Sequence, residues 1–177
     1  MPDKHLKVII AGGGTGGHLF PAFAIADTLK SHYPNGEIHF VGSKHGVEVE
    51  HLTKREERFT LLNIRGFQRG FSLRSLGRNM LFPLRFLTAL ISSRRLMKRF
   101  KPDVVVGTGG YASGLPLLAA YQQEIPTLIH EQNSYPGFTT RWLADRVDTV
   151  CISYDETKHY LKKKSACLPA IPSVRIY

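Results

Sequence analysis

The apolar run Val8-Ile9-Ile10-Ala11 leads into Gly12-Gly13-Gly14-Thr15-Gly16-Gly17-His18, and then into Ala22, Ile25, Ala26 and Leu29 at helical spacing. A strand that enters a helix through a turn made almost wholly of glycine leaves few folds open. Without a Cβ, glycine takes positive φ and lets backbone N–H groups approach a ligand, and the helix N-terminus adds its partial positive charge. Such a junction suits phosphates. His18 stands at its rim, able to give or take a proton. The spacing Gly12-x-Gly14-x-x-Gly17 also meets the dinucleotide fingerprint. That fingerprint needs an acidic residue at the end of the second strand. Here the second run, Glu37-Ile38-His39-Phe40-Val41-Gly42, carries its acid at the start and ends in Gly42-Ser43. The phosphate loop of nucleotide hydrolases needs Lys-Ser/Thr after the glycines, where this chain has His18-Leu19. A ligand-free tight turn is the plain alternative, but so many glycines cost more backbone entropy than a plain turn requires.

The strand-then-helix pattern continues along the chain. Period and turn signals predict strands at about 7–11, 37–42, 59–63, 103–107, 127–130 and 148–152, with helices at about 20–32, 46–54, 84–100, 114–122, 137–145 and 155–163. Strict alternation of this kind predicts an α/β class, a Rossmann-like parallel sheet with helices on both faces. The 177 residues, 42% hydrophobic, suffice for one sizeable core. A domain is expected over residues 1–163, with an atypical tail over 164–177. Two cysteines, Cys151 and Cys167, imply neither a disulfide framework nor a metal cluster, and a reducing compartment follows as the default. The start of the chain lacks a secretory pattern, and no run approaches the ~20 apolar residues that span a bilayer.

The net charge of +10 belongs to one segment. Arg65, Arg69, Arg74, Arg78, Arg85, Arg94, Arg95, Lys98, Arg99 and Lys101 fall in a stretch without a single Asp or Glu, and elsewhere cations and acids balance. The same stretch is rich in large apolar residues, among them Phe82 and Phe86. A solvated basic helix with an ordinary core face is one reading. Nucleic acid is another, disfavoured because the interleaved residues are aliphatic and Phe rather than polar. An anionic membrane surface fits both halves of the composition, since cations meet headgroups and apolar side chains insert between them. Arg74, Arg78, Phe82, Arg85, Phe86, Arg94, Arg95, Lys98 and Arg99 are the candidate contacts. Pro83 is expected in the first turn of the helix, where its missing N–H costs nothing.

Two further clusters fall at strand ends. Gly107-Thr108-Gly109-Gly110-Tyr111-Ala112-Ser113-Gly114 forms a second glycine turn, expected beside the first on the carboxyl edge of the sheet. His130-Glu131-Gln132-Asn133-Ser134 follows the fifth strand, a density of polar groups that calls for a ligand or a tight internal network. For Tyr111, a ring packed over the turn is as good a reading as a ligand contact.

The first glycine turn with Pro21, the run Lys101-Pro102-Asp103-Val104-Val105-Val106-Gly107-Thr108-Gly109-Gly110-Tyr111 with Ser113-Gly114, and His130-Glu131-Gln132-Asn133 together resemble the MurG family of bacterial glycosyltransferases. The likeness covers about residues 7 to 160 in order. It implies the N-terminal, acceptor-side half of a glycosyltransferase B-type fold. The implied reaction is transfer of N-acetylglucosamine from UDP-N-acetylglucosamine to an undecaprenyl-linked muramyl-pentapeptide, lipid I to lipid II, in peptidoglycan synthesis, at the cytoplasmic face of the bacterial inner membrane. Inverting sugar transfer needs a base for the acceptor hydroxyl and stabilisation of the departing UDP. The resemblance then implies His18 as that base, with Glu131 as competitor or orienting group. Thr15, Gly16, Gly17 and Asn133 would meet the donor, and Gly13, Gly14, Gly109, Gly110 and Tyr111 the acceptor and its phosphates. No Asp-x-Asp occurs, so no metal and no cofactor are expected, and no nucleic acid.

The tail departs from that family. Family members run through Gly-Asn-Pro-Val-Arg into a donor-binding domain, whereas this chain reads Ala170-Ile171-Pro172-Ser173-Val174-Arg175-Ile176-Tyr177. The expectation is that the donor-binding half is missing or supplied separately. A membrane-docking subunit that recruits such a partner, and a stand-alone nucleotide-binding module, remain open alternatives.

Overall fold

The computed structural model describes residues 5–46, 48–64, 80, 82–161 and 166–167. The elements alternate as β1 (Lys7–Ala11), α1 (Gly16–His32), β2 (Glu37–Ser43), α2 (Glu48–Lys54), β3 (Phe59–Leu62), α3 (Phe82–Phe100), β4 (Val104–Gly107), α4 (Tyr111–Tyr121), β5 (Thr127–Glu131), α5 (Phe138–Leu143) and β6 (Thr149–Ile152). A short 3-10 helix (Asp155–Tyr160) and β7 (Ala166–Cys167) follow. The strands form one parallel sheet in the order β3-β2-β1-β4-β5-β6-β7. The expected Rossmann-like layering is therefore present.

The sheet separates two cores because strand side chains alternate between faces. From β1, Val8 and Ile10 pack with Leu19, Ala22, Phe23 and Ala26 of α1 and Leu52 of α2. Ile9 and Ala11 point the other way, into a core shared by Ala89, Leu90, Leu96 and Met97 of α3, Leu115 and Leu117 of α4, and Leu143 of α5. Both faces of the central strands are buried, as an all-parallel sheet requires.

Some boundaries differ from the sequence reading for local reasons. Helix α1 opens at Gly16 rather than near 20, with Thr15 as its extended N-cap residue, so Gly16 and Gly17 form its first turn. Helix α3 includes Pro83 at its second position and stops at Phe100; Lys101 takes a φ of 53° and Pro102 cannot continue the helix. Residues 155–160 make a 3-10 turn instead of a longer α-helix. Within the expected tail, Ala166 and Cys167 pair with Val150 and Cys151 as a seventh strand that the six-strand reading lacked. Glu37, at the amino end of β2, is held by Lys7 at 3.3 Å and Arg58 at 3.0 Å, far from any ligand above the carboxyl edge.

Candidate functional site

Strand order reverses between β1 and β4, so the loops that follow these two strands diverge to opposite faces and leave a crevice at their carboxyl ends. Both glycine turns sit there. They touch: a Cβ on Gly110 would run into the carbonyl oxygen of Gly13. Gly13, Gly14, Gly109 and Gly110 all adopt positive φ, between 73° and 147°, which side chains other than hydrogen resist. Gly12 is packed against Thr108, whose hydroxyl donates to the His18 carbonyl at 2.8 Å and ties α1 to the end of β4. Tyr111 lays its ring on Gly14, the packing role weighed for it from sequence.

His18 lies at this junction. Its ring borders Gly109 and Gly110, with the Gln132 amide also close to Gly109. The Nδ1 atom is 2.9 Å from the Thr15 hydroxyl. Burial lowers the His18 pKa, while the charges of Glu131 and Glu48 pull it back up. The imidazole is therefore neutral near neutral pH. In the tautomer that donates Nδ1–H to the Thr15 hydroxyl, Nε2 carries the lone pair that a general base needs.

Glu131 is differently placed. Its carboxylate is 2% exposed and accepts four hydrogen bonds: from the Asn133 N–H (3.1 Å), Asn133 Nδ2 (2.8 Å), the Gly137 N–H (3.0 Å) and the Thr140 hydroxyl (2.6 Å). Those bonds occupy both oxygens and hold the loop between β5 and α5. The Glu131 charge also acts on the His18 imidazole. Asn133 is exposed, its side-chain amide donating to that carboxylate. Thr15 and Gly17 are exposed at the start of α1, where the first N–H groups of a helix have no intrahelical acceptor.

One principal member of the site escaped the sequence reading. Glu48, the first residue of α2, is fully buried behind the first glycine turn and accepts the Gly14 N–H on both oxygens, at 3.1 and 3.0 Å, and the Ser43 N–H at 2.6 Å. Gly14 therefore turns its amide inward instead of offering it to a phosphate. The available signal was Gly42-Ser43 and Gly46 two residues before an acid, directly after a strand. His130 was noted only as part of a cluster. It is 6% exposed, and burial lowers its pKa.

The basic segment divides. Arg74 and Arg78 lie outside the described residues. In α3, Phe86 packs against the core, Phe82 sits 6.1 Å from its ring, and both are half-buried. Leu84, Leu87 and Ile91 are more open, at 60%, 53% and 37% exposure and at helical spacing, and Met80 precedes them. Arg94, Arg95, Lys98 and Arg99 are exposed beyond this stripe, Arg94 also donating to Gln122 at 3.0 Å, and Arg85 is half-buried. No helix among the described residues is long and apolar enough to cross a membrane.

Comparison with known proteins gives the family of the chain. Residues 8–152 match the glycosyltransferase family 28 N-terminal domain. The chain is 43% identical over 167 residues to the UDP-N-acetylglucosamine–N-acetylmuramyl-(pentapeptide) pyrophosphoryl-undecaprenol N-acetylglucosamine transferase of Christiangramia forsetii, covering 94% of this chain and 44% of that protein. The corresponding transferase of Carboxydothermus hydrogenoformans is 44% identical, with the same coverage. Among solved structures, Acinetobacter baumannii MurG superposes with a TM-score of 0.75 at 31% identity, over 91% of this chain and 44% of that one. A UDP-N-acetylglucosamine 2-epimerase from Rickettsia bellii shares the fold at 16% identity and a TM-score of 0.59. The chain spans under half the length of the curated relatives it matches, and it belongs to glycosyltransferase family 28, whose N-terminal domain it carries.

Proposed function

We propose that this chain is the acceptor-side half of a transferase that moves N-acetylglucosamine from UDP-N-acetylglucosamine to an undecaprenyl-linked muramyl-pentapeptide. The observation that carries the reading is the placement of His18, a neutral imidazole where two glycine turns meet at the switch point of the sheet. In the proposed step the acceptor hydroxyl oxygen attacks the anomeric carbon and gives its proton to His18 Nε2. The bond from that carbon to the diphosphate breaks, and its electron pair leaves with UDP. Inversion follows from attack opposite the leaving group. The positive end of α1, at Thr15, Gly16 and Gly17, stabilises the departing charge. Asn133 stands where it can meet a sugar hydroxyl. Gly13, Gly109, Gly110 and Tyr111 make the floor beneath the acceptor. The donor-binding half comes from elsewhere in the polypeptide or from a separate chain.

The same reading places the chain on the cytoplasmic face of the inner membrane as a peripheral protein. Leu84, Leu87 and Ile91 would insert between headgroups, with Arg94, Arg95, Lys98 and Arg99 meeting anionic lipid.

The test joins this chain to the donor-binding half of a relative and follows transfer of labelled N-acetylglucosamine to lipid I. His18→Gln should lower turnover about 100-fold or more, with the KM for UDP-N-acetylglucosamine little changed. Undiminished turnover in that variant would remove His18 as the base, and no transfer by the unmodified fusion would remove the activity.

A further inference from the structure

Glu48 has a place in the fold that helix formation does not explain. A carboxylate at the first position of a helix ordinarily faces solvent or its own helix N-terminus. This one is withdrawn completely from water, and no cation is paired with it in the described structure. Burying a carboxylate is costly unless hydrogen bonds replace its hydration. Here the replacements are two backbone amides from separate segments, Gly14 in the turn after β1 and Ser43 at the end of β2. Glycine surrounds it on three sides. A Cβ at Gly13, Gly42 or Gly46 would in each case collide first with the Glu48 side chain. The β1–α1 turn, the last residues of β2 and the start of α2 are thus moulded around one charged group.

From this geometry we propose that Glu48 is a positioning residue, whose buried carboxylate fixes the Gly13–Gly14 turn and thereby the place of the His18 ring in the crevice. The chain of contact is short. Gly14, held by Glu48, lies under the Tyr111 ring, and Gly13 presents its carbonyl oxygen to Gly110, on which His18 rests. Loss of the carboxylate would free the Gly14 amide and loosen the apposition of the two turns. The Glu48 charge also acts on the His18 imidazole, together with the larger effect of Glu131, both opposing desolvation. Thr15, through its hydroxyl, completes the polar surroundings of the ring. The consequence for turnover rests on the function proposed above, but the positioning itself is a property of this chain and is tested without any substrate.

The experiment is NMR on the 177-residue chain. In the unmodified protein the Gly14 and Ser43 amides should exchange with solvent at least about tenfold more slowly than that of Gly16 at the open start of α1. Equal exchange at Gly14 and Gly16 would overturn the proposal, whatever any variant does. Glu48→Gln keeps the shape but removes the charge and turns an NH2 group toward an N–H. It should lower the His18 titration midpoint and move the Gly14 amide resonance. Glu48→Asp keeps the charge but retracts it by one methylene, so it should retain more of the His18 midpoint while still losing Gly14 protection. Glu50→Gln, an exposed change on the same helix, should leave both readouts where they were. A folded Glu48→Gln protein with an unmoved His18 midpoint and an unmoved Gly14 resonance would reduce Glu48 to a packing group and sink the inference. If Glu48→Gln does not fold, the exchange ratio in the unmodified chain decides.

Discussion

The apposition of the two glycine turns makes Gly110→Ala the sharpest perturbation available. Gly110 has φ 73° and ψ 168°, a region that is essentially reserved for glycine and costs another residue about 1–3 kcal/mol. The new methyl would also meet the Gly13 carbonyl oxygen, a backbone atom that cannot rotate aside. Overpacking of this kind adds about 1–3 kcal/mol. A loss of about 4 kcal/mol is therefore expected, a large share of the ~5–15 kcal/mol that holds a domain together. At this chain length it would lower Tm by about 8–16 °C. Gly17→Ala is the matched comparison. Gly17 lies in the first turn of α1 with no positive φ, and its nearest non-neighbouring atom, Thr15 Oγ1, would be 3.8 Å from the added carbon. Its replacement should leave stability unchanged or raise it by about 0.5 kcal/mol. Urea unfolding of both variants measures the pair. A loss below about 1 kcal/mol for Gly110→Ala would refute the strain argument. If Gly17→Ala keeps its fold but loses transfer in the fused enzyme, a ligand and not the fold is what requires glycine there.

Three other outcomes follow from the same geometry. His18, His39 and His130 all have pKa values lowered mainly by burial, with Arg99 and Arg58 adding to the effect on His39. The unfolded chain thus takes up protons that the folded chain refuses; stability should fall as pH drops below about 6.5 and level off beneath the folded values. Urea midpoints that stay flat across that window would contradict it. Glu131→Gln puts an NH2 group among four donors and should cost about 3 kcal/mol by urea unfolding, against under 1 kcal/mol if the network is unimportant. The double change Leu84→Ser with Leu87→Ser should alter stability by less than about 0.5 kcal/mol yet weaken sedimentation with anionic vesicles about tenfold. Unaltered sedimentation would remove the α3 stripe from the membrane reading.

Much of the site was readable because glycine and histidine at strand ends have few other uses. The turns at 12–17 and 107–110 announce their positive φ through composition, and both fall where apolar runs stop. Glu131 was visible as part of a polar cluster, but its role was not, since a carboxylate that accepts four internal hydrogen bonds and one that awaits a proton have the same letter. Glu48 was hidden for a related reason. An acid among Val49, Glu50 and His51 at the head of an amphipathic helix reads as a solvated residue, and only the fold around Gly13, Gly42 and Gly46 shows that it is enclosed. Likewise Phe82 and Phe86 were the natural apolar contacts by size. Rotation of α3 on the core half-buries both rings and leaves the aliphatic stripe outside.

The alternation of apolar runs with amphipathic segments was enough by itself to determine a parallel α/β sheet, because period and turn chemistry are local properties. Adjacency is not local. That β1 and β4 lie side by side, so that two turns about 95 residues apart in sequence close on one histidine, was decided by the burial of α1 and α2 on one face and α3 and α4 on the other. The same packing decides which acids become buried braces, since burial depends on what lies across the sheet and no single segment carries that information.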